Sequence, residues 1–338
     1  MEKLVVKSFS MLVIVSLGLI GCGDDDVEGD SETVELLTNT EYPEDSNQTE
    51  ILQNFSEEVE EATDGEVVID VASGGSLGYD GEDALRAVRD NSVPVSYFIA
   101  GDVTGEESLF GVVNLPFAYS ELEDSQAMSE VTKPHLNELL EEEWNQKLLY
   151  ISPWPFSGFW TQDEVQSLGD LEGMDMRAYD EMSTQVINAV DAAPNNLPFG
   201  EVYSGLSTGV IDSVLTSAET AVDGSFWEVL DYHIPVNVLA GWGAVTINLD
   251  EWNSLDSEMQ DAVVQAAEKV EADAWDAVED LDEQMIDTVE ENGIEVLEPS
   301  EELMDDLEES TEEIRENWLE ENPEAQEIVD EYEEVVDQ

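Results

Sequence analysis

A formal charge of −75 at neutral pH, from 84 Asp and Glu against 9 Lys and Arg in 338 residues, sets the terms on which this chain can fold. Like charges at that density repel one another across any compact surface. High charge with low hydrophobicity would leave a chain disordered. Here 41% of residues are hydrophobic, with 8 Trp, 9 Tyr and 9 Phe, which is enough for a real core. The combination reads as a folded protein suited to salt-rich surroundings, where a Debye length of about 3 Å at molar salt screens the repulsion. The same field excludes nucleic acid, whose phosphates need Lys and Arg patches. It also excludes docking of the folded part on an anionic membrane surface. One Cys rules out an intrachain disulfide and Cys-based zinc clusters, and two His limit imidazole chemistry.

The N-terminus reads as an address. Lys3 and Lys7 form a basic region, and Met11 to Ile20 is an apolar run too short to span a bilayer comfortably. It ends in Leu19-Ile20-Gly21-Cys22, which resembles a lipobox, so Cys22 is expected to carry lipid and residues 1–21 to be removed as a Sec-type signal peptide. Residues 22–32 then form an acidic tether. Asp24, Asp26, Glu28, Gly29 and Glu35 nearly match the spacing of a calcium loop. The anchor leaves no room for the helix such a loop needs, so the stretch reads as solvated tether. No metal and no other cofactor is expected.

Beyond the tether, strand and helix patterns alternate. Val34 to Thr38 and Glu66 to Val71 read as strands around a helix over Ser46 to Ala62. A short helix over Gly81 to Asp90 and a strand over Val93 to Ile99 follow. A second set runs through strands near Leu148 to Ile151, Gly173 to Tyr179 and Val210 to Leu215, with helices over Glu181 to Val190 and Glu201 to Thr208. A long amphipathic helix lies within Ser257 to Asn292, capped by Ser254 or Ser257 and stopped at Gly293. A last strand, Ile294 to Leu297, precedes a helix from Ser300. Pro323 breaks that pattern, and the acidic tail of 323–338 reads as a frayed extra helix. Such alternation predicts an α/β fold with parallel strands.

Gly74-Gly75-Ser76-Leu77-Gly78 fits the nucleophile elbow of serine hydrolases. The histidine it would need is His135, beside Pro134 at an expected helix start, or His233, just before Pro235. A glycine-rich turn closing a strand explains the run more simply. Paired carboxylates say nothing in so acidic a chain, and no phosphate loop or dinucleotide fingerprint is present. Arg177 is more informative. It sits within a strand pattern beside Met176, in a chain nearly stripped of cations. A buried Arg must be paired, and its planar fork suits a carboxylate. That carboxylate belongs either to a ligand or to one of the chain's own acids. Trp154-Pro155-Phe156 and Gly241-Trp242-Gly243 put aromatics on irregular backbone, where clefts between lobes are built.

The central block carries a resemblance. Gly173-Met174-Asp175-Met176-Arg177-Ala178, followed by Asn195-Asn196-Leu197-Pro198-Phe199-Gly200-Glu201-Val202-Tyr203-Ser204-Gly205-Leu206-Ser207-Thr208-Gly209-Val210-Ile211-Asp212, is similar to the TRAP transporter solute-binding proteins of the DctP type. Their pattern is a G-x-K-x-R strand, then P-x-P-x-x-E-V-Y-x-A-L-Q-T-G-x-V-D-G. Val68 to Gly78, Ala84 to Arg89 and Asn114-Leu115-Pro116-Phe117 resemble further family segments, so the likeness runs from about Glu32 to Leu319.

It implies a two-lobed periplasmic-binding-protein-like fold with crossing strands and a long C-terminal helix. Residues 33–151 with 213–245 would form one lobe and 152–212 with 246–322 the other. It implies no enzyme but an extracytoplasmic subunit that closes on an organic carboxylate and delivers it to an ion-driven membrane permease. Arg177 would then clamp the carboxylate. Where much of the family continues Gly-Gln-Glu-Asn-Pro, this chain has Ser213-Val214-Leu215-Thr216-Ser217-Ala218, so the ligand-contacting Asn position falls at Thr216. Thr216 and Ser217 are expected to hydrogen-bond, and Trp154, Phe199 and Trp242 to shape the pocket. The alternatives are a binding protein of an ATP-driven importer or a sensor, a binder of a zwitterionic compatible solute such as ectoine, and, behind these, a secreted serine hydrolase.

Overall fold

The computed structural model describes residues 33–119 and 121–336. The signal segment, Cys22 and the tether, including all of the calcium-like spacing except Glu35, lie outside the described residues.

The chain opens with β1 (Val34–Asn39), α1 (Asn47–Ala62), β2 (Val67–Ala72), α2 (Ala84–Arg89) and β3 (Val95–Ile99). Then come α3 (Leu122–Glu143) and a long strand β4 (Gln146–Thr161). The middle holds β5 (Asp175–Ala178), α4 (Glu181–Ala189), β6 (Ala193–Asn196), α5 (Phe199–Thr208), β7 (Ser213–Thr216) and α6 (Ala218–Asp223). A second long strand, β8 (Tyr232–Asn248), leads into α7 (Leu249–Ser254), α8 (Ser257–Glu291), β9 (Glu295–Val296), α9 (Glu301–Glu321) and α10 (Ala325–Val336).

Among the described residues nine strands form one sheet, in the order β2-β1-β3-β8-β4-β7-β5-β6, with β9 against β8. The two long strands make it a two-lobed α/β fold. The first half of β4 pairs with the second half of β8, which also pairs with β3, through Ile99↔Gly243 and its neighbours. The second half of β4 pairs with the first half of β8 and with β7, through Phe159↔Leu215. Between them the ladder shifts register at Trp154 and Ser157. An irregularity there bends the strand and re-aims its side chains.

The expected bounds, 33–151 with 213–245 and 152–212 with 246–322, meet the following strand pairing. Ser213–Thr216 lies beside β5, as its parallel partner through Met176↔Ser213, and the first half of β8 pairs with the second half of β4 and with β9 rather than with β3. The ladder between the two long strands is irregular at Trp154, Ser157 and Phe159. Helix α8 is not confined to one lobe. Val263, Ala266 and Val270 pack with Leu36, Phe55 and Ile247, whereas Met285, Ile286 and Val289 pack with Trp160 and Phe226. A helix shared in this way holds both halves to one backbone.

Several local expectations are also revised. Asp256, not a serine, caps α8, accepting from the amides of Glu258 and Met259 at 2.9 and 3.0 Å. Pro134 lies inside α3 rather than at a helix start. The tail is not frayed. Ala325 and Ile328 of α10 are fully buried against α3, and Tyr332 meets Tyr119 edge-on at 5.9 Å. No described helix is long and apolar enough to cross a membrane.

Candidate functional site

Parallel strands of an open α/β sheet offer their carboxyl ends to ligands, and a cavity of about 280 Å³ lies at those ends. Glu41 and Tyr42 follow β1, Asp80 and Gly81 follow β2, and Asp102 follows β3. From the other lobe come Arg177 and Tyr179 at β5, Pro198 and Phe199 after β6, and Thr216 closing β7. Trp154 and Ser157 enter from the register shift of β4, and Gly241 from β8.

Strand alternation explains how Arg177 arrives here. Met176 and Ala178 on either side of it are fully buried in the hydrophobic core, so Arg177 turns to the opposite face. It is 5% exposed. Its Nε donates to the Leu197 carbonyl at 3.0 Å, and its guanidinium carbon lies 5.4 Å from the centre of the Tyr179 ring. Arg177 forms no ion pair among the described residues. Burial pulls the guanidinium down from its ordinary value, opposed by the charges of Asp102 and Asp180. A buried cation without a contacting anion is costly, and its terminal amino groups have no partner among the described residues.

An aromatic wall spans both lobes. Tyr42 lies 5.3 Å from Trp154 and 5.8 Å from Phe199 between ring centres. Trp154 stands opposite Gly241, where a Cβ would come within 3.3 Å of the Trp154 Cβ. A larger residue at 241 would therefore crowd the wall.

Of the six pocket residues read from the sequence, Arg177, Thr216, Trp154 and Phe199 line this cavity. Ser217 does not. Its hydroxyl accepts from the Trp154 indole at 2.9 Å and caps α6 through the Thr220 amide at 3.3 Å, so it positions the wall from behind. Trp242 is excluded too. It is 1% exposed on the other face of β8, packs in the core with Ala240 and Ala244, and donates to Ser125 Oγ at 3.0 Å. Sequence reasoning missed Glu41, Tyr42, Asp102 and Tyr179. All four sit at or just past strand carboxyl ends, which is the signal that could have found them. The histidines are engaged elsewhere than at Ser76. His233 stacks on Trp160 at 3.8 Å, with burial holding its pKa down to about 3, and His135 faces Glu331 at 3.4 Å.

Behind the wall, Gln48 of α1 ties the lobes to the crossing. Its amide donates to the Pro153 carbonyl at 3.2 Å and to Glu219 at 3.5 Å, and its oxygen accepts from the Tyr97 and Ser152 hydroxyls, each at 3.0 Å. Burial, with the charge of Asp223, pushes the fully buried Glu219 carboxyl up to about 8. The folded protein thus keeps a proton that the unfolded chain releases near 4.5, and this contribution to stability is lost as pH rises toward about 8. Asp223, pushed up to about 7 by burial, acts with the same sign. The melting temperature should therefore fall across that window, and Glu219→Gln should flatten part of the fall. An unchanged slope in the variant would show that Glu219 is not the group responsible.

Comparison with known proteins adds to this geometry. The family model described as DctP, bacterial extracellular solute-binding protein family 7, matches residues 38–322. A solute-binding protein of Roseobacter denitrificans is 27% identical over 221 residues, which is 63% of this chain and 66% of that protein. One from Chromohalobacter salexigens is 26% identical over 64% of this chain and 65% of its own length. The match thus spans just under two thirds of these curated relatives. Among solved structures, a Bordetella pertussis extracytoplasmic solute receptor that binds pyroglutamic acid superposes with a TM-score of 0.86 at 27% identity, covering 89% of this chain and 100% of that one.

Proposed function

The chain belongs to the DctP family of bacterial extracellular solute-binding proteins, and on that premise we propose that it closes its two lobes on a small organic carboxylate and delivers it to a TRAP-type membrane permease. The observation that carries the reading is Arg177, a buried guanidinium that faces the inter-lobe cavity with no ion-pair partner among the described residues. A carboxylate accepts both arms of such a fork, and closure would exclude water and strengthen the pair. Tyr42, Trp154 and Phe199 supply a largely apolar aromatic wall of tilted rings, and the Thr216 hydroxyl can donate or accept at the rim of the clamp.

The strand pairing supports one lobe of β1 to β3 with the adjoining halves of β4 and β8, and a second of β5 to β7 with the remaining halves. The pyroglutamate bound by the Bordetella receptor is itself a small carboxylate, which supports the ligand class. Lipid on Cys22 would hold the protein at the outer face of the membrane, beside its permease. The test is a thermal-shift screen in about molar salt against carboxylates, neutral sugars and peptides. Ligand bound only to the native state raises the melting temperature by mass action. A shift with a carboxylate is expected. A shift confined to neutral sugars or peptides would remove the reading.

A further inference from the structure

We propose that Gly101 and Asp180 form the contact on which the two lobes close, and that both act as positioning residues for ligand binding without touching the ligand. The inference rests on the reading that the lobes close, not on the class of ligand.

Gly101 follows the carboxyl end of β3, and its neighbours Ala100 and Val103 pack in the core with Phe98 and Trp242. Asp180 follows β5 and caps α4, whose Met182 and Val186 pack with Met176 and Ala178. In the sheet β8, β4 and β7 stand between the two strands. Yet the residues that follow them touch. A Cβ on Gly101 would come within 2.5 Å of Asp180 Oδ2, 3.3 Å of its Cγ and 3.4 Å of its Cβ. Gly101 does not have a positive φ, so what the glycine supplies is space. The Asp180 carboxylate is not free to swing aside. Its Oδ1 accepts from the Ser183 amide at 2.7 Å and the Ser183 hydroxyl at 2.6 Å, its Oδ2 accepts from Asn114 Nδ2, and the residue is 5% exposed. Asn114 itself stands where the chain passes between cores, with Val113 packed on the β3 side and Leu115 on the β5 side.

The contact stands between two cavities. Asp102 and Tyr179, next to it in the chain, line the ligand cavity, whereas Asp180 and Asn114 line a second cavity of about 590 Å³. Seating Asp180 against Gly101 therefore closes the ligand cavity from behind. It also fixes Tyr179, whose ring lies 5.4 Å from the Arg177 guanidinium carbon. A gap at this point would admit water behind Arg177, and a charge pair weakens steeply as the local dielectric rises. Affinity that depends on closure falls in proportion to the fraction of molecules able to close. Gly101 and Asp180 thus set binding strength through the seat they share.

A cross-link and a wedge test this. The 3.4 Å between the two Cβ positions is at the short end of the roughly 3.5–4.5 Å that a disulfide spans. Gly101→Cys with Asp180→Cys, in a Cys22→Ser background that leaves no other thiol, should therefore cross-link under mild oxidation. Small-angle scattering without ligand should give the oxidised form a smaller radius of gyration than the same protein reduced. Gly101→Ala should melt close to the wild type without ligand. Its affinity for whichever of pyroglutamate, gulonate and glucuronate the wild type binds should fall about ten-fold or more by calorimetry. Adding Asp180→Ser, which keeps a capping oxygen and removes the one in the way, should recover most of that loss, which a merely structural defect would not. Wild-type affinity in Gly101→Ala, or no recovery in the double variant, overturns the proposal. So does a failure to cross-link, or equal radii oxidised and reduced. If none of the three acids binds, the carboxylate reading falls, and the scattering result alone decides the contact.

Discussion

Arg177→Met should cost carboxylate binding about 3 kcal/mol or more, on the order of a hundred-fold in affinity, because truncating one side of a buried charge pair leaves the other side unpaired. Arg177→Lys should recover only part of the loss, since an ammonium cannot offer the planar fork. Without ligand, the Met variant should melt close to the wild type. The guanidinium is buried on one hydrogen bond to Leu197 and no ion pair among the described residues, so little of the fold depends on it. Calorimetry with a bound acid and a melting curve without it separate the two effects. A large loss of unliganded stability would recast Arg177 as a structural residue.

Trp242→Ala should do the reverse. Removing this 1% exposed indole leaves a cavity in the core and takes the donor away from Ser125. Such truncations cost about 3–5 kcal/mol, or roughly 10 °C in melting temperature for a chain of this size. The folded fraction should bind ligand with wild-type affinity, because the side chain lies on the face of β8 away from the cavity. An affinity loss out of proportion to the stability loss would return Trp242 to the site.

The contrast between these two residues shows what the sequence could disclose. Arg177 was legible because a lone cation inside an apolar strand needs a reason, whatever the fold. Trp242 differs by phase: its glycine-flanked sequence suggests the pocket wall, and the fold buries it in the core. On a strand, a shift of one residue exchanges the faces, and nothing in Gly241-Trp242-Gly243 says which of the three looks into the cleft. The pairing Trp154↔Gly241 decides it, and pairing is a long-range fact. The same reasoning accounts for β8 as a whole. Pro235 and two glycines interrupt its pattern, and most of its residues are buried, so the alternation that marks a half-exposed strand is missing.

The acids of the site were hidden for another reason. Among 84 Asp and Glu, nothing local distinguishes Glu41 or Asp102. Only their position past the carboxyl ends of β1 and β3, opposite Arg177, sets them apart. Ser217 was found in the right neighbourhood, but its hydroxyl is already used by Trp154 and the α6 cap. The long helix α8 was recognised from its periodicity, yet its division between the two lobes depends on which strands it meets.

The central claim is that the inter-lobe cavity holds a carboxylate on Arg177. A crystal structure of the protein saturated with the acid giving the largest thermal shift tests it most directly. A carboxylate is expected within hydrogen-bond reach of both terminal amino groups of Arg177, with the ligand's body against Tyr42, Trp154 and Phe199. A ligand seated elsewhere, or one whose carboxylate points away from Arg177, would contradict it.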